Sequence, residues 1–214
     1  MGLAARRDPS TLLSRLHAHL ERPWLYGATW RALAPGASRA LLARIRGELD
    51  AAPAGTAGGG FAVLDVGCGP RSWLAAAGVV AVGVDRSPAC ARAIRRAGGV
   101  AVVARAEALP FRANAFASVW SFGLHHHLSD ANARRALAEA GRVAADRVVV
   151  FDGVLPQSRR RRPLAWVVRR LDRGRFLRSE AALRALLPGD GWRASRFTYS
   201  WTGLEGLWCV LTSR

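Results

Sequence analysis

Val63-Leu64-Asp65-Val66-Gly67-Cys68-Gly69-Pro70 decides the fold of this chain. A short β-type run, begun at Phe61, passes into a turn holding two glycines, and a helical segment, Ser72 to Ala77, follows at once. Glycines at such a junction let a ligand lie close to the backbone, beside the N-terminus of the following helix. Asp85 ends the next strand, Val79 to Val84, twenty residues after Asp65. That is about the spacing at which an acidic residue takes the hydroxyls of a ribose. A nucleoside cofactor is therefore expected.

The same alternation continues outward. Pro88 to Ala97 has helical spacing, Val100 to Ala104 and Ala117 to Phe122 read as strands, Asp130 to Val143 as a helix and Arg147 to Phe151 as a strand. Strands that are apolar on both faces and separated by helices imply a parallel sheet covered on both sides. Right-handed crossovers leave a doubly wound, Rossmann-like α/β fold as the economical topology. After a helix at Glu180 to Leu187, the runs Trp192 to Trp201 and Leu207 to Thr212 complete a mostly parallel seven-stranded sheet with an antiparallel edge strand near the C-terminus. Upstream, Leu12 to Leu20 and Ser38 to Leu49 read as helices, the second with Ser38 as N-cap, joined by the aromatic stretch from Pro23 to Trp30. Ala51 to Gly60 reads as a loop. The expectation is one domain: a helical cap over 1–50, a cofactor-binding core over 61–152, an arginine-rich lid or surface segment over 155–178, and a terminal helix and strand pair over 179–214.

Details of the loop choose among nucleosides. A dinucleotide fingerprint asks for glycine or alanine where Ser72 stands and does not ask for an acid at Asp65. A carboxylate there repels a pyrophosphate and suits a cationic amino-acid group, as S-adenosylmethionine carries.

At this point the chain resembles the class I S-adenosylmethionine-dependent methyltransferases, above all the small-molecule type that includes the ubiquinone and menaquinone methyltransferases. The resemblance spans about Phe61 to Phe151. It rests on Val63 to Pro70, Val82-Gly83-Val84-Asp85, Glu107 to Phe111, Leu124-His125-His126-His127-Leu128 and Ala138 to Val143, in this order. It implies that Gly67 and Gly69 lie under the methionine part and ribose, that Asp65 helps fix the amino group, and that Asp85 binds the ribose hydroxyls. Segment 105–107, including Ala106 and Glu107, flanks the adenine, and Cys68, Arg86 and Ser121 complete the cofactor-binding set. The product would be S-adenosylhomocysteine. Three positions depart from the pattern: Arg105 stands where an aspartate usually accepts from the adenine amino group, Arg71 where a further glycine is usual, and Ala117 in place of a common aspartate.

Methyl transfer from a sulfonium is an in-line displacement, so positioning dominates and a base is needed only for a protonated acceptor. His126 and His127, at the carboxyl edge of the sheet, are the candidate bases; capping or packing of the next helix is their alternative role. Adjacent histidines without acidic or cysteine partners at ligand spacing do not suggest a metal.

Composition bounds the rest. The chain has 214 residues, half of them hydrophobic, enough for one packed domain that buries roughly 70% of its unfolded surface. All 32 basic residues are arginine against 15 acids, giving +17, and nine of them fall in 155–178 around Leu164, Trp166, Val167, Val168 and Leu171. An apolar stripe with cationic flanks suits a lid over a small or amphiphilic, lipid-like or aromatic acceptor, or peripheral contact with an anionic membrane surface. An RNA acceptor is the rival, and a binding module with a decayed cofactor site is a third reading. No apolar run is long enough to span a bilayer and no secretory signal can be read, so the expected compartment is the cytoplasm. Cys68, Cys90 and Cys209 have no disulfide-framework spacing.

Overall fold

A computed structural model describes residues 34–50, 62–170 and 174–212. The expected helix at Leu12 to Leu20, the aromatic stretch from Pro23 to Trp30 and the loop at Ala51 to Gly60 lie outside the described residues. In chain order the elements are α1 (Ala37–Asp50), β1 (Val63–Val66), α2 (Trp73–Ala76), β2 (Val82–Asp85), α3 (Pro88–Arg96), β3 (Val100–Val103), β4 (Phe116–Phe122), a 3-10 turn at His125–His127, α4 (Asp130–Val143), β5 (Ala144–Val154), α5 (Pro163–Arg170), α6 (Glu180–Arg184), β6 (Arg193–Thr198) and β7 (Glu205–Thr212).

The seven strands form one sheet in the order β3-β2-β1-β4-β5-β7-β6. β1 to β5 pair in parallel, whereas β7 pairs antiparallel with both β5 and β6. The expected mostly parallel seven-stranded sheet is present. The strand that runs against the first five is β7, one in from the edge, and the edge strand β6 is antiparallel to it. Because β2 lies on one side of β1 and β4 on the other, the order reverses there, and a crevice opens outside the carboxyl ends of β1 and β4.

Alternation along the strands builds two cores. Leu64, Val66, Val119, Val148, Val150, Leu207 and Cys209 face α4 and α6, packing on Ala133, Leu137, Ala140 and Leu183. Their neighbours Trp120, Phe122, Val149, Phe151, Trp208 and Val210 face the other way, onto Leu41 and Ile45 of α1, Leu74 of α2, and Ala165 and Val168 of α5. Both faces are buried, as parallel strands require.

Most element boundaries shift from the sequence reading by a few residues, and three of the shifts have a clear physical reason. Ser38 is not the N-cap of α1: that helix begins at Ala37, behind a turn in which Ala37 N–H donates to Ala34 C=O and Gly36 takes φ +81°. Val79 to Ala81 are not strand, since β1 offers partners only from the Leu64–Val82 pair onward, and Val80 is 75% exposed. β5 runs past Phe151 to Val154 because β7 pairs with it along that whole length.

The loop after β4 is held from a distance by Arg178. Its guanidinium donates to the carbonyls of His125 (2.7 Å) and Leu128 (2.7 Å) and to Asp130 (2.7 and 3.0 Å), while its own backbone bridges to Val154 and accepts from Leu155 N–H. An ammonium cannot reproduce that planar fork. Arg178→Lys is expected to lower unfolding free energy by about 2–3 kcal/mol in urea denaturation, through the carbonyls left unpaired.

Candidate functional site

Three carboxylates stand at the carboxyl edge of the parallel strands: Asp65 in β1, Asp85 at the end of β2 and Asp152 near the end of β5. Each is tied to a different part of the crevice.

The glycine loop is shaped by Asp85 and by the end of β2. Gly67 N–H (2.7 Å) and Cys68 N–H (3.1 Å) both donate to Val84 C=O, and Gly69 N–H donates to Asp85 Oδ2 (2.9 Å). Asp85 Oδ1 accepts from Ser87 N–H (2.8 Å), which begins α3. Gly67 and Gly69 have φ of +74° and +62°, a region costly for other residues. Leu124 presses on Gly67, where a Cβ would come within 2.9 Å of it, whereas the space over Gly69 is open. The amides of Gly67, Cys68 and Gly69 are thus all turned inward, and none of the three is offered to a phosphate. Asp85 uses two acceptor sites on backbone donors, and its carboxylate has about two more.

Asp65 is buried, with Ser72 Oγ donating to Oδ2 at 2.6 Å. That hydroxyl also accepts from Ala75 N–H and so caps α2. Burial pushes the Asp65 carboxyl up to about 6, a rise eased by the Ser72 hydrogen bond and reinforced by the negative charge of Asp85. Cys68 also departs from an expected cofactor-contacting position. Its side chain is buried against Gly83, where a Cβ would meet its Sγ at 2.8 Å, and burial raises the thiol far above its usual range.

Arg86 and Arg105 are exposed, and Arg105 pairs with Glu107 Oε1 at 3.0 Å. Ala106 is buried beneath them. Their loop is fastened to α4: Glu139 accepts from Leu109 N–H (2.8 Å), and Arg142 donates to the carbonyls of Leu109 (3.1 Å) and Phe111 (2.8 Å).

On the far side, Asp152 organises the histidine turn. It accepts from His126 N–H (2.8 Å), from His126 Nδ1 (2.5 Å) and from Gly153 N–H (2.8 Å). Burial alone would raise the Asp152 carboxyl, but His126, His125 and Arg169 together hold it down at about 2, so it is ionised. His126 is buried, while His127 is exposed with its ring 4.2 Å from that of His126. His125 is buried too, with Nε2 3.4 Å from the buried Ser121 hydroxyl and no partner for Nδ1 among the described residues. Burial lowers its imidazole to about 4, keeping it neutral.

Sequence reasoning missed Asp152 and Arg169. Arg169, on α5, is 2% exposed and donates to Tyr199 Oη (2.6 Å) and Glu205 C=O (3.0 Å); its guanidinium occupies the space a Cβ on Gly153 would fill. An acid breaking the apolar run of β5 was the signal for Asp152. The i+3 and i+4 spacing of Ala165, Val168 and Arg169 was the signal for Arg169. Among the described residues no group of three His, Cys, Asp or Glu side chains has the arrangement to hold a metal, and no helix is long and apolar enough to cross a membrane.

Comparison with known proteins places this geometry. Residues 64–151 match the family model for a methyltransferase domain, type 11. No curated protein sequence matches the chain. Among solved structures, a methyltransferase from Thermotoga maritima described as a possible histamine N-methyltransferase is 16% identical, with a TM-score of 0.63 over 91% of this chain and 98% of that one. Magnesium protoporphyrin IX methyltransferase from Synechocystis, with bound S-adenosylhomocysteine, is 17% identical, with a TM-score of 0.59 over 83% and 82%. Geranyl diphosphate C-methyltransferase from Streptomyces coelicolor is 14% identical, with a TM-score of 0.57 over 79% and 75%. At these identities the structures show a shared fold.

The raised Asp65 carboxyl has a thermodynamic consequence. A folded-state value near 6, above the unfolded 3.8, means that ionised Asp65 opposes folding once pH exceeds 6, and that this cost vanishes below 3.8. Asp65→Asn is therefore expected to stabilise the protein at pH 7.5 by about 2–3 kcal/mol. The gap to wild type should shrink steadily as urea melts are repeated down to pH 4.5.

Proposed function

We propose, with residues 64–151 belonging to the methyltransferase domain family, that the chain binds S-adenosylmethionine at the carboxyl edge of β1, β2 and β4 and directs its methyl group to a small or amphiphilic acceptor. One observation carries this reading: a loop whose first three amides point inward, set beside a buried and incompletely partnered carboxylate. Such a site gives nothing to a phosphate and favours a cation. S-adenosylmethionine, when bound, supplies an electrophilic methyl carbon on a sulfonium.

The residues present fit that group. The open space over Gly69 admits it against the backbone, the free lone pairs of Asp85 suit ribose hydroxyls, and Asp65, through Ser72 and α2, sets a negative potential for the amino group. Ala106 and Glu107 lie at the adenine side, with Ser121 at the end of β4 and Arg86 at the rim. The exposed Arg105 is held on Glu107 and stands at the same rim.

His126 is the proposed base where the acceptor carries a proton. Asp152 holds Nδ1 as the protonated nitrogen, which makes Nε2 the basic atom and fixes the ring plane. His127, exposed and with its ring 4.2 Å from that of His126, is the second candidate. The tie between His126 and Asp152 also anchors the turn to β5, so the two roles need separate readouts.

Isothermal calorimetry with S-adenosylmethionine and S-adenosylhomocysteine tests the cofactor; no heat from either up to about millimolar concentration removes it. Asp85→Ala is expected to weaken binding at least about ten-fold, through two lost charge-assisted hydrogen bonds. Wild-type affinity should fall as pH drops through about 6, because Asp65 takes up a proton and its attraction for the ligand's ammonium is lost. Incubation with radiolabelled cofactor and a lysate separated into lipid, RNA, protein and small-molecule fractions identifies the acceptor class. With that acceptor, His126→Ala should reduce the transfer rate by roughly 10²–10⁴ while leaving cofactor affinity unchanged. A matched loss of affinity would make the residue a structural anchor only.

A further inference from the structure

The run Arg159 to Arg162 and helix α5 form one corner of the molecule together with the turn between β6 and β7. Arg162 joins them: its guanidinium donates to Gly203 C=O (3.0 Å) and Thr198 Oγ1 (3.1 Å) and lies 3.7 Å from Glu205. Ala165, Val168 and Arg169 face inward from the same helix. The residues left over face solvent. Leu164 and Val167, one helical turn apart, are 55% and 48% exposed, and Trp201, at the tip of the neighbouring turn, is 84% exposed. Arg159, Arg160 and Arg161 are exposed, and no carboxylate pairs with them among the described residues.

We propose that this corner is a docking surface for an anionic lipid bilayer, with Arg159, Arg160 and Arg161 on the headgroup phosphates and Leu164, Val167 and Trp201 entering the interface. Three observations point to this occupant. Charge complementarity is local: three consecutive guanidiniums pair with no carboxylate among the described residues, and a guanidinium can grip a phosphate with two parallel hydrogen bonds. Aliphatic and indole side chains beside a cationic cluster form the composition of an interfacial helix, the apolar part supplying insertion and the cations attraction. A single-stranded RNA stacks successive bases on aromatic faces, and the described residues of this corner present one exposed ring, Trp201: the Trp166 ring is covered by the Arg159 guanidinium at 4.0 Å, and aliphatic Leu164 and Val167 offer no stacking. This inference goes beyond the cofactor reading and holds or fails independently of it.

The test is flotation of the full chain with vesicles of phosphatidylcholine alone and of phosphatidylcholine mixed with phosphatidylglycerol, at low and at physiological salt. The chain should float with the mixed vesicles, and added salt should weaken but not abolish this, because the apolar residues also contribute. A highly basic protein adheres to any anionic surface, so the deciding comparison is between two triple variants of equal charge. Replacing Arg159, Arg160 and Arg161 by Gln should cut the partition coefficient roughly a hundred-fold, about five-fold per arginine. Replacing the equally exposed Arg92, Arg96 and Arg134 by Gln should change it little. Leu164→Ser with Val167→Ser should cost roughly ten-fold. Circular dichroism melts confirm that each variant folds, and the salt series on the wild type stands even where one does not. Equal losses from the two triple variants, no flotation with mixed vesicles, or complete release by tRNA with the same Arg159–Arg161 dependence would overturn the proposal. The last result would assign the corner to RNA.

Discussion

The hydrogen bond from Gly69 N–H to Asp85 holds the crevice in shape. It joins the loop after β1 to the end of β2, and with the two donations from Gly67 and Cys68 to Val84 it uses the first three amides of that loop. A glycine loop is usually read as an anion site because its amides are free to point outward. Here the same sequence signature serves the opposite preference, since the amides are spent within the protein and the nearest unspent charges are carboxylates. The ligand selected by such a loop is cationic or neutral, and this follows from where three N–H groups point rather than from the glycines themselves.

From that bond outward, the edge of the sheet is a series of acids with different surroundings. Asp85 is braced by backbone donors and remains open to further ones. Asp65 is buried with a single hydroxyl and held near 6, a destabilised group retained at the cost of folding free energy. Asp152 has three donors and cations nearby and is held near 2. Burial beside a single hydroxyl and packing among three donors thus push two carboxyls of one sheet edge in opposite directions.

The sequence was legible where periodicity and chain geometry act locally. Short runs apolar on both faces located the parallel strands, and the spacing from Asp65 to Asp85 followed from one strand, one turn and one helix. It was illegible where a distant partner decides. The end of β5 was read three residues short because Asp152 and Gly153 break the apolar run; β7, some fifty residues later, pairs with them and extends the strand to Val154. Val79 to Ala81 have strand composition, but β1 is too short to give them a neighbour. Cys68 stands within the loop motif, yet a glycine on the adjacent strand draws its thiol away from the crevice. Arg169 and Arg178 read as part of an arginine-rich lid or surface segment because local sequence does not reveal the buried carbonyls they satisfy.

Those two arginines also change the meaning of the net charge of +17. A guanidinium that donates to carbonyls at the end of β7 or in the histidine turn is part of the interior, and its charge is no index of a partner. What the surface shows is set by which arginines lack such work, and along residues 162–169 inward and outward side chains alternate. Arg162 and Arg169 point to the β6–β7 hairpin and to Gly153, while Leu164 and Val167 point out. Gly153 is what admits this arrangement, since its missing Cβ is the space that the Arg169 guanidinium fills. The helix that turns Leu164 and Val167 outward is thus the one whose buried arginine packs on the residue next to Asp152, because one short helix must divide its side chains between two surroundings.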